Sequence, residues 1–445
     1  MGKRIRVVYW VLIGTWVAEF FLIFDRVNIS LAIPQIMDEL NLSGVQAGMI
    51  LSVFYWGYVL GQYGGGVVAD HVNLRRWTSG LLMVWCALTA LTGVCRTPLQ
   101  FYFVRSAFGL TEGAAPPAFL KLRNHWLLPH ERGRFVGLSM GFLYLAAAVG
   151  LPLVGWFIRS WGWRFMFFLS GAMTIFAVAV FYLLVRDHPR EHPWISKEEE
   201  ERISEALERD RVNFNPEDGG LRTLSFREAL GLVVRDWPFW AILAGFFLSV
   251  SLYFANMSWL PGYLVKERGY TILHSGLYLV VPNLAAFLGA FIGGYLGDRL
   301  RSQSLVGALA CLIVCPAMLG VMWAQSIFWV VIFMSLSLFA TSVSLSTLIV
   351  LAYEFFPTES FAASWGLIGG TGGISGLIAP LVIGFVYDQT GSFFWGFTTF
   401  AIGGLLAGGL FIPLALHEKK IKAQKAQALS MNPSGLGVSS SVVAQ

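Results

Sequence analysis

Apolar residues along this chain are grouped in long runs that are separated by short polar connections. Since about 20 consecutive apolar residues let a helix cross a bilayer, each run predicts one membrane-spanning helix. Residues 186–236 form the one long polar segment between runs, and within it Ser196 and Glu199 have the pattern of a helix-starting capping box. The twelve predicted spans are 7–36, 45–69, 77–95, 99–120, 134–158, 164–185, 237–264, 272–297, 303–323, 327–353, 361–387 and 392–416.

The composition agrees with a membrane protein and argues against a soluble one. Of 445 residues, 56% are hydrophobic and 13% are charged, and the mean hydropathy is +0.64. Soluble domains carry about 25% charged residues, so a single soluble core cannot explain this chain. The net charge of +5 does not indicate nucleic-acid binding, because the basic residues stand in short connections between apolar runs. The four cysteines lie inside apolar runs without metal-type spacing, which predicts packing residues and no metal site.

The positions of Lys and Arg predict which side of the membrane each connection faces. Of the 31 Lys and Arg residues, 24 fall on the side of the N-terminus and 5 on the other side, while Arg26 and Arg105 lie within spans. Because positively charged connections stay in the cytoplasm, we expect both termini and residues 186–236 to be cytoplasmic. We expect a monomeric, multi-pass protein of the bacterial inner membrane that is surrounded by lipid.

Short sequences of the first half recur in the second half at a constant offset of 228 residues. Gly66-Val-Val-Ala-Asp70 recurs as Gly294-Tyr-Leu-Gly-Asp298. The same offset relates Pro129 to Pro357, Pro152 to Pro380, Asn28 to Asn256 and Ser30 to Ser258. An all-α membrane protein of two parallel six-helix repeats follows. Its predicted parts are the bundle 1–185, the linker 186–236, the bundle 237–416 and the cytoplasmic tail 417–445.

The connection after the second span runs from a glycine through an aspartate to an arginine pair, Arg75 and Arg76. Together with the repeat, this segment resembles the major facilitator superfamily, and the resemblance covers the whole chain. It implies two halves that rock about a central substrate site and expose it to each side in turn. It also implies that Asp70, Arg75, Asp298 and Arg299 form cytoplasmic gate contacts. The alternative is that the two arginines only orient the helices, although that role leaves the repeated aspartate unexplained.

Five charged residues fall inside predicted spans, where a charge is costly and marks a functional candidate. Glu19, Asp25 and Arg26 lie on the first span, and Arg105 and Glu112 lie on the fourth. Asp25 and Arg26 point about 100° apart, so one can face the interior of its half while the other faces the cavity. Arg105 and Glu112 are two turns apart on one helix face, at about 10 Å. The predicted chemistry therefore lies in the N-terminal half alone.

Two arginines beside one cavity predict an anionic substrate, because Arg keeps its charge and pairs with a carboxylate through two hydrogen bonds. A low-dielectric site favours the neutral form of a carboxylate, whereas a nearby arginine favours its ionised form. A carboxylate under both influences can take up or release a proton when an anion arrives. We therefore predict proton-coupled symport, with Asp25, Glu112 and Glu19 as the proton-coupling candidates. The alternative is that these residues form structural ion pairs between the first and fourth spans, and it stays fully open for Glu19.

Local sequences narrow the resemblance to the anion:cation symporter branch of the superfamily. They are Phe24-Asp25-Arg26-Val-Asn28-Ile-Ser30, Phe54-Tyr55-Trp56-Gly-Tyr58, and Arg105 followed after six residues by Glu112-Gly113. The resemblance implies that Asp25 and Glu112 carry proton coupling, that Arg26 and Arg105 bind the anion, and that Tyr58 lines the site. The predicted substrate-binding set is Arg26, Arg105, Tyr58, Asn28, Tyr253 and Asn256.

Members of that branch typically import sugar acids and other carboxylates with protons or sodium. The sugar-acid carriers typically have amide side chains near the middle of the fifth and eleventh spans, where this chain has Leu143 and Gly369. A polyhydroxylated acid would enter with unpaired hydroxyl groups, so we expect a smaller or more apolar carboxylate. An efflux carrier for amphiphilic compounds and a membrane ligand sensor are the alternatives. The sequence has no nucleophile–base set or phosphate loop that predicts an enzyme, and we expect no cofactor.

Overall fold

The computed structural model describes residues 6–69, 71–213, 234–355 and 358–431, apart from some side chains within these ranges. The described chain is helical almost throughout, with a short 3₁₀ turn at Pro189–Glu191. The helices are α1 (Val7–Leu40), α2 (Gly44–Ala69), α3 (Leu74–Thr92), α4 (Pro98–Gly113), α5 (Ala115–Trp126), α6 (Pro129–Leu184), α7 (Lys197–Asn213), α8 (Trp237–Lys266), α9 (Ile272–Tyr278), α10 (Val280–Arg299), α11 (Gln303–Trp323), α12 (Ile327–Phe355), α13 (Thr358–Thr390) and α14 (Phe394–Met431).

The prediction of an all-α protein with twelve spans is confirmed. In the described ranges, nine helical segments are long and apolar enough to cross a membrane. One of them, Gly141–Leu184, has 44 residues, enough for two spans of about 20 residues each. It turns at Gly162, where a φ of 80° favours glycine. The remaining spans are α3, which begins with a basic first turn, and the α4–α5 pair, whose first helix has only 16 residues.

Two predicted spans are each built from two helices. The predicted span 99–120 breaks at Ala114 and then continues as α5 to Trp126. The predicted span 272–297 breaks at Leu279, shortly before Pro282. The extension of α5 has a consequence for charge, because Arg123 lies inside a helix and is buried rather than standing in a polar connection.

The end of the bundle at which residues 186–236 connect the halves, the loop end, carries additional helical structure. Ser196 accepts a hydrogen bond from the backbone of Glu199 (3.2 Å), as the predicted capping box requires. The Glu199 carboxylate does not complete the box, and it accepts instead from the backbone of Val7 at the start of α1 (3.2 Å). The tail begins as a helix, since α14 continues beyond residue 416, and Glu418 caps α11 at the backbone of Gln303 (2.9 Å).

Glycines allow α2 and α4 to cross at backbone contact. A Cβ atom at Gly57 or Gly61 of α2 would overlap the backbone of α4, and one at Gly109 or Gly113 would overlap the backbone of α2. Such contacts are possible only where both faces lack side chains. The crossing fixes residues 54–58 of α2 beside the turns of α4 that carry Arg105 and Glu112.

The two halves meet at the opposite end of the bundle in a way that follows the repeat. Gly48 of α2 packs against the backbone of Pro380 of α13. Their equivalents at the offset of 228, Gly276 of α9 and Pro152 of α6, pack against each other in the same manner. The pseudo-twofold relation that the sequence repeat predicts is therefore present in the contacts between the halves.

Charged groups also join the halves at this opposite end. Lys266 forms an ion pair with Asp38, which is its own repeat equivalent, so the pair lies close to the pseudo-twofold axis. Asp388 of α13 accepts hydrogen bonds from the backbone N–H groups of Gly44 and Val45, the latter at 2.7 Å. A carboxylate at a helix N-terminus satisfies otherwise unpaired donors and the helix dipole. These contacts close the opposite end of the bundle in this structure.

Gly57→Ala should destabilise the folded protein by about 1–3 kcal/mol, because the added methyl group overlaps the Ser106 carbonyl and forces α2 and α4 apart. Gly64→Ala is the matched control on the same helix, since a Cβ at Gly64 meets nothing within 4 Å. Thermal unfolding of the purified protein in detergent measures the difference. Equal melting temperatures for the two variants would contradict the close crossing.

Asp388→Ala should raise the ratio of molecules that are open at the opposite end to molecules that are closed there about fivefold. The reason is that α2 loses a capping interaction of about 1 kcal/mol. Pulsed electron paramagnetic resonance measures the distance between spin labels at positions 99 and 325, one in each half. Gln389→Ala, at the exposed neighbouring position, is the control and should leave the distance distribution unchanged. An unchanged distribution in Asp388→Ala would show that the contact does not hold this end closed.

Candidate functional site

A buried ion pair between α1 and α4 forms the centre of the candidate site. The Arg26 guanidinium donates to Oε1 of Glu112 through Nε at 3.0 Å and through a second, shorter contact from Nη2. Glu112 is fully buried, and its Oε2 atom has no hydrogen-bond partner among the described residues. The Nε and Nη2 atoms of Arg26 thus donate to the same oxygen of Glu112, and Oε2 of Glu112 is available to a proton.

The second intramembrane arginine of the site has no acidic partner in contact within the described chain. Arg105 is 3% exposed, and its Nε atom is buried without a hydrogen-bond partner. Its guanidinium carbon lies 5.1 Å from the ring centre of Phe54 and 4.8 Å from that of Phe108. Arg26 stacks on the same Phe54 ring at 5.2 Å. Aromatic faces compensate part of the cost of burying these cations, but they leave most hydrogen-bonding capacity unused.

Both arginines open onto one small cavity between the halves. The N-terminal half contributes Arg26 and Arg105 to its wall, together with Tyr55. The C-terminal half contributes Met257 and Ser258 from α8. The predicted placement of the two arginines on a shared cavity is therefore what the structure has. A space with two cations and few competing acceptors suits an anion.

Asp25 faces away from this cavity, into the interior of the N-terminal half. Its Oδ2 atom accepts hydrogen bonds from Trp85 (2.9 Å), Thr174 (3.0 Å) and Thr89 (3.4 Å). Its Oδ1 atom accepts from the Asn28 amide at 3.3 Å. Asn28 was predicted to bind substrate, but it lies three residues from Asp25 on the same inward face of α1 and does not line the described cavities. A role of Asn28 in binding substrate stays a prediction.

The remaining candidates of the N-terminal half lie at different distances from the cavity. Tyr58 packs its ring against the Arg26 guanidinium at 5.0 Å, so it contacts the site through Arg26. Glu19 forms an ion pair with Arg123 of α5 at 2.5 Å, nearer the loop end. This pair links α1 to the continuation of the fourth span, which is the structural alternative that the sequence left open for Glu19.

A second cavity lies next to the first and contains two of the predicted residues of the C-terminal half. Tyr253 and Asn256 of α8 line it, together with Val27 of α1. Met257 lines both cavities, so the two are adjacent. The predicted positions of Tyr253 and Asn256 near the site therefore agree with the structure, and the sequence reasoning missed Asn283 of α10, which lines the same cavity.

The predicted cytoplasmic gate is described only in part. Asp70 and the side chain of Asp298 lie outside the described residues, and Arg299 is exposed at the end of α10. Arg75 donates to the Tyr182 carbonyl at 2.8 Å and stacks on the Tyr182 ring at 3.8 Å. Within the described part of the chain, these contacts of Arg75 are made inside its own half.

Several residues of the site were not found by sequence reasoning. Three donors to Asp25 come from α3 and α6, namely Trp85, Thr89 and Thr174. Asp187 accepts a hydrogen bond from the backbone of Leu74 (2.6 Å) and so caps α3. A signal for the donors was present, since Trp85 and Thr89 are one turn apart on α3 and share a face. The buried partner of Glu19, Arg123, was hidden because the fourth span was predicted to end at residue 120.

The sequence as a whole matches one family model. The model described as Major Facilitator Superfamily matches residues 15–319 and 275–441. The chain belongs to this superfamily. It is accordingly a multi-pass membrane transporter and not an enzyme.

Curated relatives within the Major Facilitator Superfamily match along nearly the full chain. A probable galactarate/D-glucarate transporter of Escherichia coli K12 is 26% identical over 94% of this chain and 96% of its own length. A probable sulfoacetate transporter of Cupriavidus necator is 27% identical, with 92% and 93% covered. A hexuronate transporter of Bacillus subtilis is 26% identical, with 87% and 88% covered.

A solved structure shares the fold of this superfamily member. It is the crystal structure of a bacterial homologue of the human lysosomal transporter Spinster in an inward-facing, unoccupied conformation. The TM-score is 0.73 at 15% sequence identity, and the alignment covers 95% of this chain and 98% of that one. At this identity the likeness concerns the fold alone.

Proposed function

We propose that the protein is a secondary active transporter that takes up a small organic carboxylate together with a proton by alternating access. The observation that carries the proposal is the pair of buried arginines on one cavity between the halves, one of which has no acidic partner among the residues that the structure describes. The names of the relatives, which are transporters of galactarate or glucarate, sulfoacetate and hexuronate, support an organic anion as substrate.

Competition for Arg26 provides the coupling in this proposal. In the empty site, Arg26 binds Glu112, whereas an arriving carboxylate is drawn to both Arg26 and Arg105. If the substrate takes Arg26, Glu112 is left as a buried, unpaired charge, which costs about 3–5 kcal/mol. A proton on Glu112 removes that charge, and the unpartnered Oε2 atom is a site for it. Anion binding and proton binding therefore favour each other, and the occupied site carries no additional net charge.

Asp25 is the second proton-coupling residue of the proposal. It is adjacent in the chain to Arg26, and it lies among α1, α3 and α6 with neutral donors around it. Glu19 has the structural role in this scheme, because its contact is Arg123 and not the cavity.

Alternation requires the closed opposite end to open while the loop end closes. We assign loop-end gating to Asp70, Arg75, Asp298 and Arg299, since Arg75 is held by Tyr182 of its own half here and would have to exchange partners. We further propose that the protein resides in the inner membrane of a bacterium and works as a monomer. The loop end and both termini then face the cytoplasm.

Glu112→Gln should abolish uptake driven by a proton gradient in proteoliposomes while leaving counterflow of the substrate measurable, because the amide cannot carry the coupled proton. Glu19→Gln is the matched control, an equally conservative change at the buried acid outside the cavity, and should retain gradient-driven uptake. Undiminished gradient-driven uptake by Glu112→Gln would contradict the proposed coupling.

Arg105→Ala should weaken carboxylate binding by at least about 10-fold, since charge-assisted hydrogen bonds contribute about 1.5–3 kcal/mol each. Arg105→Lys should bind more tightly than Arg105→Ala, because it keeps the charge and loses only the planar fork. Calorimetry of the purified protein against a panel of organic acids makes the measurement. Unchanged affinity in Arg105→Ala would remove this residue from the anion site.

A further inference from the structure

A buried amide group in the second cavity has no hydrogen-bond partner in the described part of the protein. Asn256 is 2% exposed, and both its Nδ2 and its Oδ1 atoms lack hydrogen-bond partners among the described residues. An amide in this state is costly unless another group donates to it and accepts from it. Because Asn256 lines a cavity between the halves, a bound molecule can supply that group.

The rest of this cavity is apolar, and none of its described lining residues is charged. Apart from Tyr253, Asn256 and Asn283, the wall consists of aliphatic side chains and Pro261. The Asn283 amide already donates to the carbonyl of Leu279 at 2.8 Å. A second carboxylate of a substrate would therefore enter this cavity without a cation, and several hydroxyl groups would enter without enough partners.

The two cavities adjoin through one flexible side chain. Met257 lines both, and Val27 of the second cavity follows Arg26 of the first in the chain. Methionine adapts its shape readily because its side chain is unbranched. The site thus consists of a cationic compartment, which contains Arg26 and Arg105, and a neutral compartment, which contains Asn256.

We infer that the transported molecule is a monoanion with its carboxylate in the cationic compartment and a neutral group that both donates and accepts hydrogen bonds at Asn256. A short apolar segment joins the two ends and passes Met257. The inference rests on the proposed function, since Arg26 and Arg105 must hold the carboxylate. It separates this protein from carriers of polyhydroxylated dianions, because Asn256 satisfies one neutral group and no charge.

Pairs of acids with matched shape test the inference on the purified full-length protein. Succinamate and succinate, glutaramate and glutarate, and adipamate and adipate differ at one end only, where an amide replaces a carboxylate. At the chain length that binds most tightly, the monoamide should bind at least about 10-fold more tightly than the dianion of the same chain length. Calorimetry measures each affinity. Equal affinity, or tighter binding of the dianion, would overturn the inference, and it would indicate that water alone satisfies Asn256.

Substitution of Asn256 tests whether its amide group causes the preference for the monoamide. Asn256→Leu should reduce the preference for the monoamide to less than about twofold, because the hydrogen bonds are lost while the shape is similar. Asn124→Leu, the same change at an exposed amide, should leave the preference unchanged. Asn256→Gln keeps the amide but extends it by one methylene, so the preferred acid should become one methylene shorter. A preference that persists in Asn256→Leu would overturn the assignment.

The two proposals fail in different ways. If the unaltered protein binds none of the six acids, the proposed carboxylate transport fails. If it binds them in an Arg105-dependent manner but without preference for the monoamides, only the neutral compartment is wrong. Melting temperatures of the Asn256 variants, recorded without ligand, establish that each variant is folded.

Discussion

The ion pair between Arg26 and Glu112 is the interaction around which the rest of the site is arranged. It joins two helices that are far apart in the sequence, and it satisfies only one oxygen of the carboxylate. A fully satisfied pair would be a static element of the core. Within the described part of the chain, one oxygen of Glu112 is unpaired and the neighbouring Arg105 has no acidic partner, so an incoming anion can rearrange the pair.

The packing of the N-terminal half keeps this pair in place. Glycines on both sides bring α2 and α4 to backbone contact, and the centre of the Phe54 ring lies 5.2 Å from the guanidinium carbon of Arg26 and 5.1 Å from that of Arg105. Asp25, on the other face of α1, is held by neutral donors from α3 and α6. Both faces of α1 thus make polar contacts at neighbouring positions of the helix, Asp25 on one face and Arg26 on the other.

The contribution of the C-terminal half is of a different kind. None of the described lining residues that it supplies to the cavities is charged, and it contributes Met257, Ser258 and Asn256 from one helix. Contacts between symmetry-related glycines and prolines, and the Asp38–Lys266 pair near the pseudo-twofold axis, connect it to the first half at the opposite end. In the proposed scheme, the N-terminal half binds the carboxylate and the C-terminal half binds the neutral end, so full occupation of the site depends on how the halves are arranged.

Periodicity within single helices could predict much of this arrangement, but contacts between helices could not be predicted. The divergence of Asp25 and Arg26 follows from helix geometry alone, and the constant repeat offset predicts two six-helix halves. Which helix faces each side chain depends on packing across long sequence separations. For that reason the sequence did not reveal the hydrogen bond from Asn28 to Asp25, and it placed Arg123 in the connection after the fourth span although Arg123 pairs with Glu19. The capping role of Asp388 is invisible for the same reason, since its partners lie in the other half.

In the proposed mechanism, anion binding at Arg26 and proton binding at Glu112 are linked. Calorimetry of carboxylate binding in two buffers that differ in ionisation enthalpy measures the number of protons exchanged. We expect uptake of about one proton per bound anion near neutral pH, and none in Glu112→Gln. Binding of the anion to the unaltered protein without proton uptake, across the pH range in which transport occurs, would contradict it.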